Sequence, residues 1–113
     1  MAEYKNVIPI EKREKEKFYE KINDEKLVVV DFTATWCPPC RAIKPIFKQF
    51  SVDYEADVIF VEVDGDLHPD ILSEYNISAF PTFLFFKNGK LIEEAKVIGA
   101  DRNLLEGNIR KFK

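Results

Sequence analysis

The residues best suited to chemistry lie in Trp36-Cys37-Pro38-Pro39-Cys40, which holds both cysteines of the chain. Two thiols separated by two residues at the start of a helix-like segment read first as a dithiol/disulfide couple. Stapling is a poor purpose for them, because a bridge over so short a loop removes little entropy from the unfolded chain. A structural zinc would want four ligands, and beyond the two thiols the chain offers one distant imidazole, His68. The chemistry to expect is redox chemistry without a metal.

The elements that must position these thiols are legible on either side. Leu27 to Thr33 is continuous and β-branched, the pattern of a central strand covered on both faces. Asp31 sits inside it, and position alone leaves two readings. It is a desolvated carboxyl with a raised pKa, or an Asp near a strand end bonded to a turn. After the cysteines, Ile43, Ile46, Phe47 and Phe50 fall on one face of a helix over 41–50, which Pro45 should kink.

Outside this centre, Asn6 to Ile10 reads as a short edge strand, with Pro9 acceptable at an edge. A charged helix follows over 11–23, with Glu11–Lys15 and Lys12–Glu16 at helical spacing and Phe18, Tyr19 and Ile22 inward. In the strand Val58–Val63, Ile59, Val61 and Val63 take one face and Val58, Phe60 and Glu62 the other. Pro69 opens a short helix with Ile71, Leu72 and Tyr75 inward, which Asn76 can end in a left-handed conformation. His68, just before it, reads as an exposed loop residue without the partner a general base needs.

Pro81 before the apolar run Phe83–Phe86 suggests a turn, and a cis bond is one candidate. Asn88-Gly89 predicts a two-residue hairpin joining 83–87 to 90–98. Asp101 can cap a last helix with Leu104, Leu105, Ile109 and Phe112 inward, weakened somewhat by Gly107. Early alternation of strands and helices and a late hairpin predict a mixed sheet with helices on both faces.

At 113 residues, 46% hydrophobic and 33% charged, the chain fits one soluble domain with a single core. Its net charge of −3 and scattered cations disfavour nucleic acid, and its apolar runs are too short for the roughly 20 residues of a membrane helix. Residues 1–10 show no hydrophobic signal region, so a cytoplasmic location is expected. There is no GxGxxG for a dinucleotide, and electrons must come from outside.

The runs Asp31–Arg41, Lys44-Pro45, Phe80-Pro81-Thr82-Phe83, Lys87-Asn88-Gly89 and Ile98-Gly99-Ala100 together make the chain resemble the thioredoxin family over nearly its whole length. A lone CxxC would be a weak signal. The acid six residues upstream, the preceding Trp, the helix proline and the distal proline-threonine pair make it specific.

The resemblance implies a single thioredoxin domain over 1–113, with a central mixed sheet of four or five strands flanked by four helices. It implies that Cys37 is the exposed nucleophile, Cys40 the resolving thiol, Asp31 the buried acid behind them, and Pro81 a cis-proline beside the disulfide. Trp36, Pro38, Pro39, Ala79, Phe80, Pro81, Ile98, Gly99 and Ala100 would meet the substrate. From the residues alone, Trp36 could instead be core packing and Gly99 a plain turn.

By the same resemblance, the protein reduces disulfides of other proteins and binds no cofactor. Electrons would come from NADPH through a flavin-dependent thioredoxin reductase. Acceptors would include peroxiredoxins, methionine sulfoxide reductases and ribonucleotide reductase, and the protein would be a monomer. Two alternatives stand beside this: a tryparedoxin- or nucleoredoxin-like enzyme with another electron donor, and a binding module without turnover.

Two departures from the commonest family pattern stand out. Pro38-Pro39 replaces Gly-Pro between the cysteines, removing a backbone donor and stiffening the turn. Glu62 stands where bacterial members often carry a lysine, and a carboxylate near Asp31 would raise its pKa where a lysine would lower it. Which face of its strand looks at Asp31 is not determined by alternation alone, and an ordinary solvent-facing Glu is the other reading.

Overall fold

The computed structural model describes residues 6–113, so part of the N-terminal stretch read for a signal region lies outside the described residues. The elements run β1 (Val7–Ile10), α1 (Lys15–Ile22), β2 (Leu27–Thr33), α2 (Pro38–Asp53), β3 (Val58–Asp64), α3 (Pro69–Glu74), β4 (Thr82–Lys87), β5 (Lys90–Leu91), β6 (Val97–Ile98) and α4 (Arg102–Phe112). The sheet order is β1-β3-β2-β4-β5, with β6 also on β4. β1 and β2 run parallel to β3, whereas β4 is antiparallel to β2 and to both short strands. This is the mixed sheet with four helices that the resemblance implies, with six strands where four or five were expected because the segment after the hairpin adds the short β6 to β4.

Alternation along the strands sorts the core into two layers. Val28, Val30, Phe32, Val61, Val63, Leu84 and Phe86 pack on the side of α1 and α3, against Phe18, Ile22 and Ile71. Leu27, Val29, Val58, Phe60, Phe83 and Phe85 pack on the side of α2 and α4, against Ile43, Phe47, Phe50, Leu105 and Ile109. Each fully buried aromatic or branched side chain contributes roughly 1.5–3 kcal/mol of transfer free energy, and both layers converge on β2. The strand that carries Asp31 is therefore held from both sides.

The structure corrects several local readings. α1 begins at Lys15 rather than Glu11, because Arg13 is left-handed (φ 72°) and a turn from Glu11 to Glu14 precedes the helix. The predicted pairs Glu11–Lys15 and Lys12–Glu16 are not helical, since Glu11 and Lys12 lie in that turn. Instead Lys17 pairs with Glu14 at 3.7 Å and Lys15 with Asp70 of α3 at 2.8 Å.

His68 is buried rather than exposed, with Nε2 3.1 Å from the Ile10 carbonyl oxygen and 3.0 Å from that of Glu11. This imidazole ties the exit of β1 to the start of α3. The strand predicted over 90–98 is broken by a single 3-10 turn at Glu93–Ala95, which buries Ala95 and offers its carbonyl to Asn108 Nδ2 at 2.8 Å. Leu104 is exposed, because Leu105 and Ile109 form the inner stripe of α4 and Leu104 lies off it.

Other expectations hold. Asn88 (φ 55°) and Gly89 (φ 78°) form the tight hairpin turn, with Lys87 paired to Lys90. Asn76 is left-handed after α3, and the Phe80–Pro81 bond is cis.

Candidate active site

β2 ends at Thr33, and a short turn carries Trp36 and Cys37 to the start of α2. The helix begins at Pro38 rather than at Arg41, so the prolines occupy its first two positions and Cys37 is the cap. Proline fits there because the first N–H groups of a helix have no partner within it. Since neither proline has an N–H and the Arg41 N–H bonds the Cys37 carbonyl at 3.1 Å, Cys40 supplies the donor of this turn that is left to a side chain. That donor points at sulfur: Cys40 N lies 3.3 Å from Cys37 Sγ.

Cys37 and Cys40 form a disulfide, with Cα atoms 5.3 Å apart. Cys37 is not the exposed residue the resemblance implies: it is 4% accessible and Cys40 2%. Both pack with Ala34 and against Phe80, whose carbonyl oxygen lies 3.6 Å from Cys37 Sγ. A reduced Cys37 would thus meet a helix N-terminus and one directed N–H, two influences that favour a thiolate.

Asp31, on the strand that leads into the couple, is 1% accessible. Its strand position puts it on the side of Leu27 and Val29, the α2 side, where the other reading would have tied it to a turn. Among the described residues, Oδ1 has no hydrogen-bond partner. Glu62 is the partner of Asp31 in the β2–β3 register, so the face that carries Glu62 is the one that looks at Asp31. Burial first, and then the Glu62 charge, push the Asp31 carboxyl well above the usual carboxylate range, while Lys44 opposes them.

Lys44 Nζ reaches Glu62 from α2 at 3.5 Å. One pleat beyond Asp31, a cavity of about 80 Å³ is lined by Thr33, Cys40, Arg41, Lys44, Glu62 and Asp64, among others. Charged side chains stand in its wall, and it is large enough to admit water next to Cys40.

The rim predicted to meet substrate comes together from three loops. Trp36 is 62% accessible, which excludes core packing, and its ring stands edge-on to Phe80 with centroids 5.8 Å apart. Pro38, Pro39, Ala79 and Ala100 are exposed, Phe80 and Gly99 half-buried, and Pro81 buried. Ile98 is 62% accessible, although its backbone pairs with Thr82. Gly99 N–H donates to the Pro81 carbonyl at 2.8 Å, with φ at 93° and open space where a Cβ would stand. That φ makes glycine the residue suited to this turn.

Two supports were not singled out from sequence. Trp36 Nε1 donates to Asp66 Oδ2 at 3.1 Å, and Phe80 rests on Gly65, where an added Cβ would stand 2.6 Å from its ring. In the sequence, the glycine of Asp64-Gly65-Asp66 is the available signal. Among the described residues, no group of three or more His, Cys, Asp or Glu could hold a metal ion, and no helix is long and apolar enough to cross a membrane.

Comparison with known proteins agrees with this geometry. The family model described as Thioredoxin matches residues 9–111. Thioredoxin of Equus caballus is 46% identical over 98 residues, covering 85% of this chain and 90% of the relative. Thioredoxin-1 of Schizosaccharomyces pombe is 46% identical over 93 residues, covering 82% and 87%. Among solved structures, a thioredoxin from Nicotiana alata superposes with a TM-score of 0.85 at 37% identity, covering 96% of this chain and 93% of the other.

Proposed function

The chain belongs to the thioredoxin family of thiol–disulfide oxidoreductases, and from that premise we propose that it is a protein-disulfide reductase working through Cys37 and Cys40. The observation that carries this reading is the disulfide at the start of α2, with the Cys40 N–H of the first turn donating to Cys37 Sγ.

In the reduced protein the Cys37 thiolate attacks one sulfur of a substrate disulfide. A Cys37–substrate disulfide forms, and the other substrate sulfur leaves as a thiolate that takes a proton from water. Cys40 then gives up its proton, to Asp31 directly or through water, and attacks Cys37 Sγ. The Cys37–Cys40 bond forms, the bond to substrate breaks, and two electrons have passed to the substrate. The oxidised couple described above is the product state.

Trp36, Pro38, Pro39, Ala79, Phe80, Pro81, Ile98, Gly99 and Ala100 form the surface on which the substrate lies. An extended segment can pair there with exposed backbone beside Pro81. Re-reduction requires an external donor, which we assign to an NADPH-dependent flavin thioredoxin reductase. Peroxiredoxins, methionine sulfoxide reductases and ribonucleotide reductase are the acceptors proposed. A couple that spends its electrons on other disulfides belongs in a reducing compartment, hence the cytoplasm. The match over residues 9–111 supports one domain over 1–113, and a monomer is the oligomeric state proposed.

The test is insulin-disulfide reduction with dithiothreitol as electron source, wild type beside Cys37→Ser. Rapid turnover in the wild type and its loss in the variant is the expected result. Turnover that survives in Cys37→Ser, or a folded wild type no faster than dithiothreitol alone, would overturn the assignment.

A further inference from the structure

Gly65 follows β3 in the turn that also holds Asp66, and it is buried. Its backbone does not call for glycine, because its φ lies outside the left-handed region that Gly89 and Gly99 occupy. What this position needs is space. A Cβ at Gly65 would stand 2.6 Å from Phe80 Cζ, 2.9 Å from Phe80 Cε1 and 3.0 Å from Leu72 Cδ1, all inside an ordinary carbon–carbon contact of about 3.5–4.0 Å. The turn is not free to draw back, since the Gly65 N–H donates to the Thr33 carbonyl oxygen at 2.8 Å. The tip of the Phe80 ring thus fills the volume that a side chain at 65 would take.

That ring stands beside the sulfurs. Phe80 packs against the cluster of Ala34, Cys37 and Cys40, and its plane makes an angle of 84° with that of Trp36. Trp36 is fixed by the same turn, through the bond from Nε1 to Asp66. Two neighbouring residues therefore set the two rings, Asp66 by accepting a hydrogen bond and Gly65 by leaving room. We propose that Gly65 is a positioning residue for protein substrates: the notch it leaves lets the Phe80 ring lie low beside the couple, and a side chain at 65 lifts the ring into the path of the substrate. This rests on the reductase reading above and deepens it.

The direction of the displacement follows from what surrounds the ring. The pinned backbone of Gly65 and Leu72 close one side, and the cluster of the couple closes another. Phe80 is half-buried, so the side left open is the solvent-facing one, on which a substrate segment would lie. A polypeptide laid across the rim meets the raised ring. A small disulfide that needs only Cys37 does not.

The experiment compares wild type, Gly65→Ala, Phe80→Leu and the double variant, each reduced first with dithiothreitol. Insulin reduction gives KM and kcat, and hydroxyethyl disulfide serves as the small substrate. Gly65→Ala should raise the KM for insulin roughly three- to tenfold, the scale of a displaced aromatic contact, with little change in kcat. Its rate with hydroxyethyl disulfide should stay at the wild-type value. Leucine has no ring tip to be displaced, so adding Gly65→Ala to Phe80→Leu should leave the KM of Phe80→Leu unmoved. Near-ultraviolet circular dichroism of Trp36, the one tryptophan, should change in Gly65→Ala and not between Phe80→Leu and the double variant.

An unaltered insulin KM in folded Gly65→Ala would overturn the proposal. So would an equal loss with hydroxyethyl disulfide, or an equal rise in KM when Gly65→Ala is added to Phe80→Leu. If Gly65→Ala does not fold, the double variant must fold and keep the KM of Phe80→Leu, and its failure to do so would also overturn the proposal. If the wild type reduces insulin through Cys37 while Gly65→Ala behaves like it, only this inference fails. If the wild type does not reduce insulin, the reductase reading fails first.

Discussion

The two faces of the sheet are built from the same alternating strands, but the β2 row on each ends differently. Toward α1 and α3 it reads Val28, Val30, Phe32 and is apolar throughout. Toward α2 and α4 it reads Leu27, Val29 and then Asp31, beside Glu62. The first face is organised for packing: Phe18 meets Phe32, Tyr75 and Phe86 edge-on with centroids 6.0–6.4 Å apart. The second gives up some burial to hold a carboxyl where a thiol needs one. Stability and chemistry are thereby placed on opposite sides of one strand.

The largest effect should come from breaking the apolar face. Phe18→Ala should cost about 3–5 kcal/mol in urea unfolding, the range for emptying a buried aromatic site. Insulin reduction per folded molecule should be unchanged, since Phe18 packs in one core layer and the couple in a separate cluster. A fall in activity among molecules that remain folded would show that the two faces are coupled.

Next in size is the change that makes the two faces alike. Asp31→Val should stabilise the oxidised protein at neutral pH by about 1–3 kcal/mol, the usual cost of a buried polar group without a partner. The same variant should slow the resolving step. The sign with pH follows from the raised pKa of Asp31. Its native carboxyl keeps a proton that the unfolded chain has already released. The stability this gives is complete below the ordinary carboxylate range and is lost as pH rises toward the native value. Wild-type stability should therefore decline over that window relative to Asp31→Val, and parallel urea curves across pH would contradict the assignment.

Smaller effects test the periphery of the second face. Asp101 accepts the Leu104 N–H at 3.0 Å as the cap of α4, so Asp101→Ala should cost about 1 kcal/mol of stability and leave turnover intact. Trp36→Ala should change stability least, within about 0.5 kcal/mol, because most of the ring is already in water. It should instead raise the KM for insulin with less effect on kcat. An unaltered KM would remove Trp36 from the substrate surface.

Most of the second face was readable because its signals are local. A β-branched run, a proline pair after a cysteine and apolar residues at helical spacing each specify an element with little help from elsewhere. The readings that failed depended on distant partners. His68 reads as exposed until β1 is placed beside it and the carbonyls of Ile10 and Glu11 become available to its ring. The strand after Asn88-Gly89 reads as continuous, yet α4 receives the Ala95 carbonyl and the 3-10 turn interrupts it.

For the candidate site the division is similar. Trp36, Cys37, Cys40 and Asp31 announce themselves by type and spacing, because redox chemistry needs two thiols close along the chain and an acid buried nearby. By itself the sequence determined the dithiol, the helix that begins at it, the strand that carries the acid and the family to which these belong. Only the tertiary structure decided that Glu62 faces Asp31, that Lys44 reaches Glu62 from α2, and that Trp36 bonds Asp66 in the open. Strand alternation gives a residue's face but not the register of its neighbour, and a charge acts through space. The partners that tune Asp31 become visible only once β2, β3 and α2 are packed together.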